Sequence, residues 1–229
     1  MSNTKPHLFI ASSVDYEKYH LDRLISNLRE VLFPPELIHF IIGGCPEESH
    51  EELEDHITID RVPYRCFEFT PMIFITKNPS RYPFEYGFFA HDTISVGPRF
   101  FPYLEEVVAS MKSGGVKTAP IELGQHSMNI GVYHRNTLFA NQHDLENLCL
   151  YTNNTDALWA TKNKLMYYED KILYQGPLCR KFSEVPVIEL VHYPDGGRHS
   201  LRKLFKRWDL VKLQQNHGFI SSISPRSIE

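Results

Sequence analysis

The chain has 229 residues, 42% hydrophobic, 13% aromatic and 23% charged, with a formal net charge of -4. These are ordinary globular proportions, and they exclude both a strongly basic nucleic-acid binder and a polybasic membrane-surface protein. The length suits one substantial core, so the expectation is a single α/β domain across the chain.

No stretch approaches the roughly 18 apolar residues of a membrane span. The opening Met-Ser-Asn-Thr-Lys-Pro-His has no apolar leader core. The reading is therefore a soluble cytoplasmic protein without a transmembrane segment. Cys45, Cys66, Cys149 and Cys179 are widely spaced with no Cys-x-x-Cys, which predicts reduced structural thiols.

In chain order, His7-Leu-Phe-Ile-Ala11 is a short apolar run ending in Ser12-Ser13, and it predicts a buried first strand. Leu21, Leu24, Ile25, Leu28, Val31 and Leu32 then repeat at three and four, predicting an amphipathic helix that Pro34-Pro35 stops. Leu37 to Ile42 predicts a second strand, closed by Gly43-Gly44. Strand, helix and strand in this order open a parallel sheet with right-handed crossovers. Residues 45–66 are acidic and read as a solvated helix or loop without chemistry. Met72-Ile-Phe-Ile-Thr76 predicts a further strand, followed by a Pro-rich basic loop from Lys77 to Pro83.

Tyr86 to Ala90 predicts the strand that delivers Asp92 to a loop. Gly97-Pro98 opens a helix with Phe101, Leu104, Val107, Val108 and Met111 on its buried face, and Gly114-Gly115 ends it. Strands are predicted at 127–133 and 185–191, the latter at an edge or beginning after Pro186. Between them Asn153 to Asp156 offers caps for a helix over 157–174. The tail from Ser200 is basic and amphipathic to about Leu213.

Asp92 is the first candidate for chemistry. In an open α/β sheet, ligands bind beyond the carboxyl ends of the strands, where a carboxylate can hold a cation against a diphosphate. His192 ends another apolar run and leads into Asp195-Gly-Gly-Arg198, a loop able to approach an anion closely. Carboxylate plus imidazole suits Mn²⁺, or Mg²⁺, acting as a Lewis acid on a departing nucleoside diphosphate. Arg198 would supply further positive charge. Each residue also has a plain structural role open to it: a helix cap or surface charge for Asp92, a hydrogen-bonded ring for His192, one more tail cation for Arg198.

The order of these segments resembles the GT-A glycosyltransferases, especially small retaining enzymes of the glycogenin and lipopolysaccharide galactosyltransferase type and compact GT-A domains of large algal viruses. Over residues 7–200, the family's Asp-x-Asp motif falls on His91-Asp92-Thr93 and its Asn-x-Gly strand on Asn129-Ile-Gly131. The helix start falls on Asn154-Thr-Asp156-Ala-Leu158, and the terminal loop on His192-Tyr193 to Arg198. The fold implied is a GT-A-like, Rossmann-related mixed sheet, mainly parallel and flanked by helices.

The activity implied is transfer of a sugar from a nucleotide diphosphate donor, a UDP-sugar above all, to a glycan or glycoprotein acceptor, with retention. Asp92 and His192 would hold the metal. Ala11, Ser12, Ser13 and Tyr16 would meet the base and ribose, although Tyr16 could equally begin the buried stripe of the first helix. Asn129 and Asp156 would address the donor sugar, with a helix cap as the alternative for Asp156.

The loop from Lys77 to Arg81 would close over the nucleotide. His91 and Thr93 depart from the metal motif. His91 then either assists the ion or contacts ribose, and a metal-independent variant would use Arg198, Lys77 and Arg81 to compensate the diphosphate. The departures also leave open a catalytically silent carbohydrate-binding or assembly protein. A sugar nucleotidyltransferase is the remaining alternative, but it should carry a Gly-rich loop after the first strand, and Ala11-Ser-Ser-Val-Asp15 has no glycine.

Overall fold

A computed structural model describes residues 5–121, 130–148, 179, 184, 186–192 and 199–215. Strand β1 (His7–Ser13) leads into helix α1 (Glu17–Glu30), which returns to β2 (Ile38–Gly43). Then follow β3 (Ser49–Glu52), β4 (Thr58–Val62), α2 (Thr70–Lys77), β5 (Tyr86–His91) and β6 (Ile94–Val96). Helix α3 (Phe100–Gly114), β7 (Thr118–Ile121), β8 (Ile130–His134), α4 (Arg135–Ala140) and α5 (Gln142–Asn147) complete the central part. Strands β9 (Val187–His192), β10 (His199–Phe205) and β11 (Leu210–Gln215) come last.

The main sheet has seven strands in the order β3-β4-β2-β1-β5-β8-β7. Its centre, β4, β2, β1 and β5, is parallel, while β3 and β8 run against it. Side chains along β1 alternate between two cores: Leu8 and Ile10 face α1 and α3, and Phe9 faces α2 with Phe69, Ile73 and Tyr133. This is a mixed α/β protein with a mainly parallel sheet flanked by helices. No helix among the described residues is long and apolar enough to cross a membrane. Cys45 and Cys179 are free thiols.

Several expectations change. Met72 to Thr76 lies in a helix, because Pro71 in the first turn favours helical entry and Thr70 Oγ1 accepts the Cys66 N–H at 2.8 Å. Every residue from Thr70 to Thr76 is buried, with the sheet on one side and α4 and α5 on another. A helix enclosed in this way has no polar stripe, so its periodicity imitates a buried strand.

Helix α1 stops at Glu30, and Leu32 adopts a φ of 57° that turns its side chain out to 87% exposure instead of continuing the stripe. In α3 the fully buried ring is Phe100, while Phe101 is only half-buried. The acidic segment 45–66 contains β3, an exposed edge strand whose Glu51 and Glu52 discourage further pairing, and β4, which is largely buried. The amphipathic tail is a hairpin of β10 and β11. As Pro186 requires, β9 begins at Val187 and forms the outer strand of the second sheet, ordered β6-β11-β10-β9.

The second sheet is tied to the first through β6. Its strand pairing to β11 uses one edge, and α1 supplies partners for the other. Asn27 exchanges two hydrogen bonds with the Val96 backbone, 2.8 and 3.0 Å, and Arg23 donates to Ile94 O at 3.0 Å and Ser95 Oγ at 2.8 Å. At the far end of β6, the Gly97 N–H donates to Asp209 O, and the Asp209 carboxylate accepts the Arg99 N–H. A Cβ on Gly97 would stand 2.3 Å from Asp209 Oδ2, so only glycine fits.

A buried polar chain crosses the amino-terminal half of the main sheet. His7 Nδ1 is 2.8 Å from His39 Nε2, and His39 Nδ1 is 2.7 Å from Thr58 Oγ1. The Tyr82 hydroxyl lies 2.9 Å from Thr58 Oγ1 and donates to Asp60, which also holds His50 and Arg81. Burial holds both β-strand imidazoles neutral: His7 falls from 6.5 to about 4, and His39 lies well below its ordinary value.

The unfolded imidazoles protonate near pH 6.5 and the folded ones do not. Stability is therefore full above pH 6.5 and falls as pH drops towards 4. In His7→Gln, which keeps a partner for His39 but cannot protonate, that acid-side loss should be smaller by roughly 3 kcal/mol at pH 4. Urea unfolding across pH 4 to 7 measures the difference.

Candidate functional site

The two crossovers leave β1 in opposite directions. From β1 the chain passes through α1 to β2, then to β4 beyond it; α2 then carries it back to β5 on the other side of β1. The carboxyl ends of β1 and β5 therefore lie side by side at a topological switch point, the position where open α/β sheets bind ligands. Ala11, Ser12 and Ser13 lie on one lip, with His91 and Asp92 on the other.

Asp92 is buried, 7% exposed, and its N–H donates to Ala11 O at 3.0 Å. Ser12 Oγ donates to Asp92 Oδ2 at 2.6 Å. Arg23 donates to the Asp92 carbonyl at 2.7 Å, and the Lys212 ammonium bonds Thr93 Oγ1 next door. His20 completes the group. Burial lowers its affinity for a proton, Asp92 opposes that shift, and Arg23 and Lys212 add to it. Among the described residues, Asp92 thus acts electrostatically on both the Arg23 guanidinium and the His20 imidazole.

His91 points the other way. Alternation along β5 sends it to the α2 side, where its Nε2 is 3.4 Å from Glu68 Oε2. The residues of the Asp-x-Asp position therefore engage partners on opposite faces of the sheet.

Ser13 Oγ accepts Arg65 Nη1 at 3.2 Å, and Arg65 also pairs with Asp15 at 2.5 Å. Tyr16 precedes α1 and is 44% exposed, outside the buried stripe, with its ring edge-on to His20. Lys77 ends α2 with its ammonium 4.5 Å from the Tyr64 ring centroid. Arg81 is held by Asp60 on β4, two strands from β1, so it does not reach the crevice in this arrangement.

His192 ends β9, with β10 and β11 between it and β6. Three inter-strand steps of roughly 4.8 Å separate the two edges. The structure does not bring it beside Asp92. Asn129, Asp156 and Arg198 lie outside the described residues, as does the helix expected over 157–174.

Sequence reasoning missed Arg65. Its side chain is 11% exposed, and its Nε is buried without a hydrogen-bond partner among the described residues. A faint signal existed in Gly43: a Cβ there would lie 2.8 Å from both Arg65 Cβ and Tyr64 O, so the Gly-Gly pair does more than end a strand.

Mn²⁺ or Mg²⁺ does not fit the described residues. The carboxylates at these strand ends are already matched, Asp15 by Arg65, Glu68 by His91, and Asp92 by Ser12 and the neighbouring cations. A dication on Asp92 would have to share the carboxylate with the Ser12 hydroxyl and sit in the field of Arg23. Among the described residues no three His, Cys, Asp or Glu side chains gather in one group that could hold an ion.

Fold and site together define an α/β protein with a topological switch point whose strand ends carry paired polar and charged groups. No protein-family model matches the chain, and no curated protein matches it in sequence.

Removing the Asp92 charge tests how the lip is built. Asp92→Asn should destabilise the fold by about 3 kcal/mol, since it removes the carboxylate charge that faces the half-buried Arg23. Ser12→Ala should cost about 1.5 kcal/mol, the loss of one charge-assisted hydrogen bond. Urea titration of both variants measures these losses.

Proposed function

We propose that the chain is a GT-A-like glycosyltransferase that moves a sugar from a nucleotide diphosphate donor, with UDP-sugars the first class to test, to a glycan or glycoprotein acceptor. The observation that carries this reading is the switch point between β1 and β5, where Ser12 and Asp92 meet at strand ends with Ser13 next to them in the chain. The exposed Tyr16 ring beside Ser13 offers a flat apolar face for a base, and Ser13 with Arg65 offers donors to ribose or phosphate oxygens.

In this reading the nucleoside lies across the end of β1 and the diphosphate enters the mouth between β1 and β5. The acceptor hydroxyl oxygen forms a bond to the anomeric carbon on the face from which the diphosphate departs. The bond from that carbon to the phosphate oxygen breaks, and the acceptor proton passes to the leaving diphosphate. Asp156 stabilises positive charge on the sugar, and Asn129 fixes its hydroxyls, the roles that the family resemblance assigns them.

The competing reading is a catalytically silent carbohydrate-binding or assembly protein. It is favoured by the engagement of Asp92 and His91 with partners inside the protein.

Nucleoside diphosphate release from a panel of UDP-, GDP- and CDP-sugars separates the two. A transferase releases product from at least one donor, slowly to water and faster with a glycan acceptor. Asp156→Asn should then lower kcat about 100-fold with little change in KM. Ser13→Phe should abolish donor binding while the melting transition persists. Absence of binding and turnover for every donor would favour the silent protein.

A further inference from the structure

We infer that Asp15 receives the ribose hydroxyls of the donor nucleotide, and that the buried Arg65 is the positioning residue that holds its carboxylate in place. The inference rests on the transferase reading and deepens it, naming how the end of β1 recognises the nucleoside. Two observations carry it.

The first is the way the carboxylate is fixed. Asp15 stands in the turn between β1 and α1, which the Tyr16 N–H closes by donating to Ser13 O at 2.9 Å. The Asp15 N–H donates to Ser13 Oγ at 3.3 Å, and its Oδ2 accepts Arg65 Nη1 at 2.5 Å. Burial of this ion pair is uneven, with the Arg65 side chain 11% exposed and that of Asp15 58%. Among the described residues Asp15 is the one ion-pair partner of Arg65, and Arg65 Nε is buried without an acceptor. A guanidinium so enclosed and so sparsely bonded adds little to stability. What it does is hold an exposed carboxylate, from a position over Gly43 where a Cβ would stand 2.8 Å from Arg65 Cβ. The other carboxylate oxygen, Oδ1, accepts nothing among the described residues.

The second is what surrounds it. Asp15 lies between two exposed apolar side chains, Val14 at 37% and Tyr16 at 44%. An ionised carboxylate only accepts hydrogen bonds, so the ligand group it meets is a donor, a hydroxyl and not a phosphate oxygen. A nucleoside presents both features together, a flat base for the apolar surface and a vicinal diol beside it. Both diol hydroxyls can donate to Asp15, because Oδ1 keeps its lone pairs. Acidic side chains read ribose by the same chemistry in dinucleotide-binding folds.

Calorimetric titration of the full chain with UDP and GDP, each against its 2′-deoxy counterpart and with Mg²⁺ present, tests this. At least one ribonucleotide should bind about ten-fold more tightly than its deoxy form, the worth of one hydroxyl donating to a charged group. Asp15→Ala, an exposed change, should bring the two affinities within about two-fold of each other. Asp15→Asn, whose amide oxygen still accepts a hydroxyl, should keep part of the preference. Arg65→Gln should lower the preference about three-fold although Asp15 is intact, a change that a purely structural ion pair would not produce. Equal binding of the ribo and deoxy forms, or a preference unchanged in Asp15→Ala, overturns the inference and leaves the transferase reading standing. So does a loss in Asp15→Ala that falls equally on both forms, which would put the base on the carboxylate. No binding of any nucleotide overturns both.

Discussion

The placement of the crevice depends on two side chains of α1 that complete the open edge of β6. Arg23 and Asn27 stand four residues apart, on one face of the helix, and between them satisfy backbone groups of Asp92, Ile94 and Val96. A three-residue strand with one free edge would carry buried, unpaired peptide groups. The helix removes that penalty and in doing so fixes the turn between β5 and β6. Because α1 also packs on β1 through Leu24 and Leu28, the same helix sets the distance between the two lips of the switch point.

That anchoring decides the charge pattern at the site. Arg23 must come deep under the sheet to reach three oxygens, and its charge then has to be balanced locally. Asp92 supplies the balance at no cost in further burial, and Ser12 takes up one of its lone pairs. The carboxylate at the end of β5 is thus explained first by the needs of the fold. On the other side of β1 the pairing is looser: Asp15 is well exposed, and Arg65 retains a donor without a partner.

Much of the framework was legible in the residues. β1, β2 and β5 are continuous apolar runs, as strands buried on both faces must be, and α1 and α3 carry one-sided stripes. Helix α2 was not legible, since burial on all sides erased the stripe that distinguishes a helix from a strand. β6 is too short to carry a pattern, and its pairing depends on β11, over a hundred residues later.

The site was legible in part. A carboxylate after an apolar run does mark a strand end, and Ser12, Ser13 and Asp92 do meet. What a linear reading could not supply was the company each residue keeps. Asp92 and His192 both end strands, yet the strands belong to different sheets and different edges. Arg65 and Lys212 sit in stretches with no local signature, and only tertiary packing brings Arg65 to Ser13 and Lys212 to Thr93. Asp60 was hidden in an acidic segment that looked wholly solvated, though it is 3% exposed.

The opposite half of the sheet shows the same constraint solved with other chemistry. There His7, His39, Thr58 and Tyr82 form a chain of largely neutral partners, ending at Asp60 with Arg81 and His50 on the outside. Neutral imidazoles tolerate burial where charged groups would need counter-ions, so the amino ends of β1, β2 and β4 stay closed and aromatic. The carboxyl ends carry the permanent charges. Acid attacks the first half by protonating the imidazoles. The two ends of one sheet therefore hold their buried polar groups by different chemistry, and the Asp92 cluster at the carboxyl end supports the fold as the imidazole chain does at the amino end.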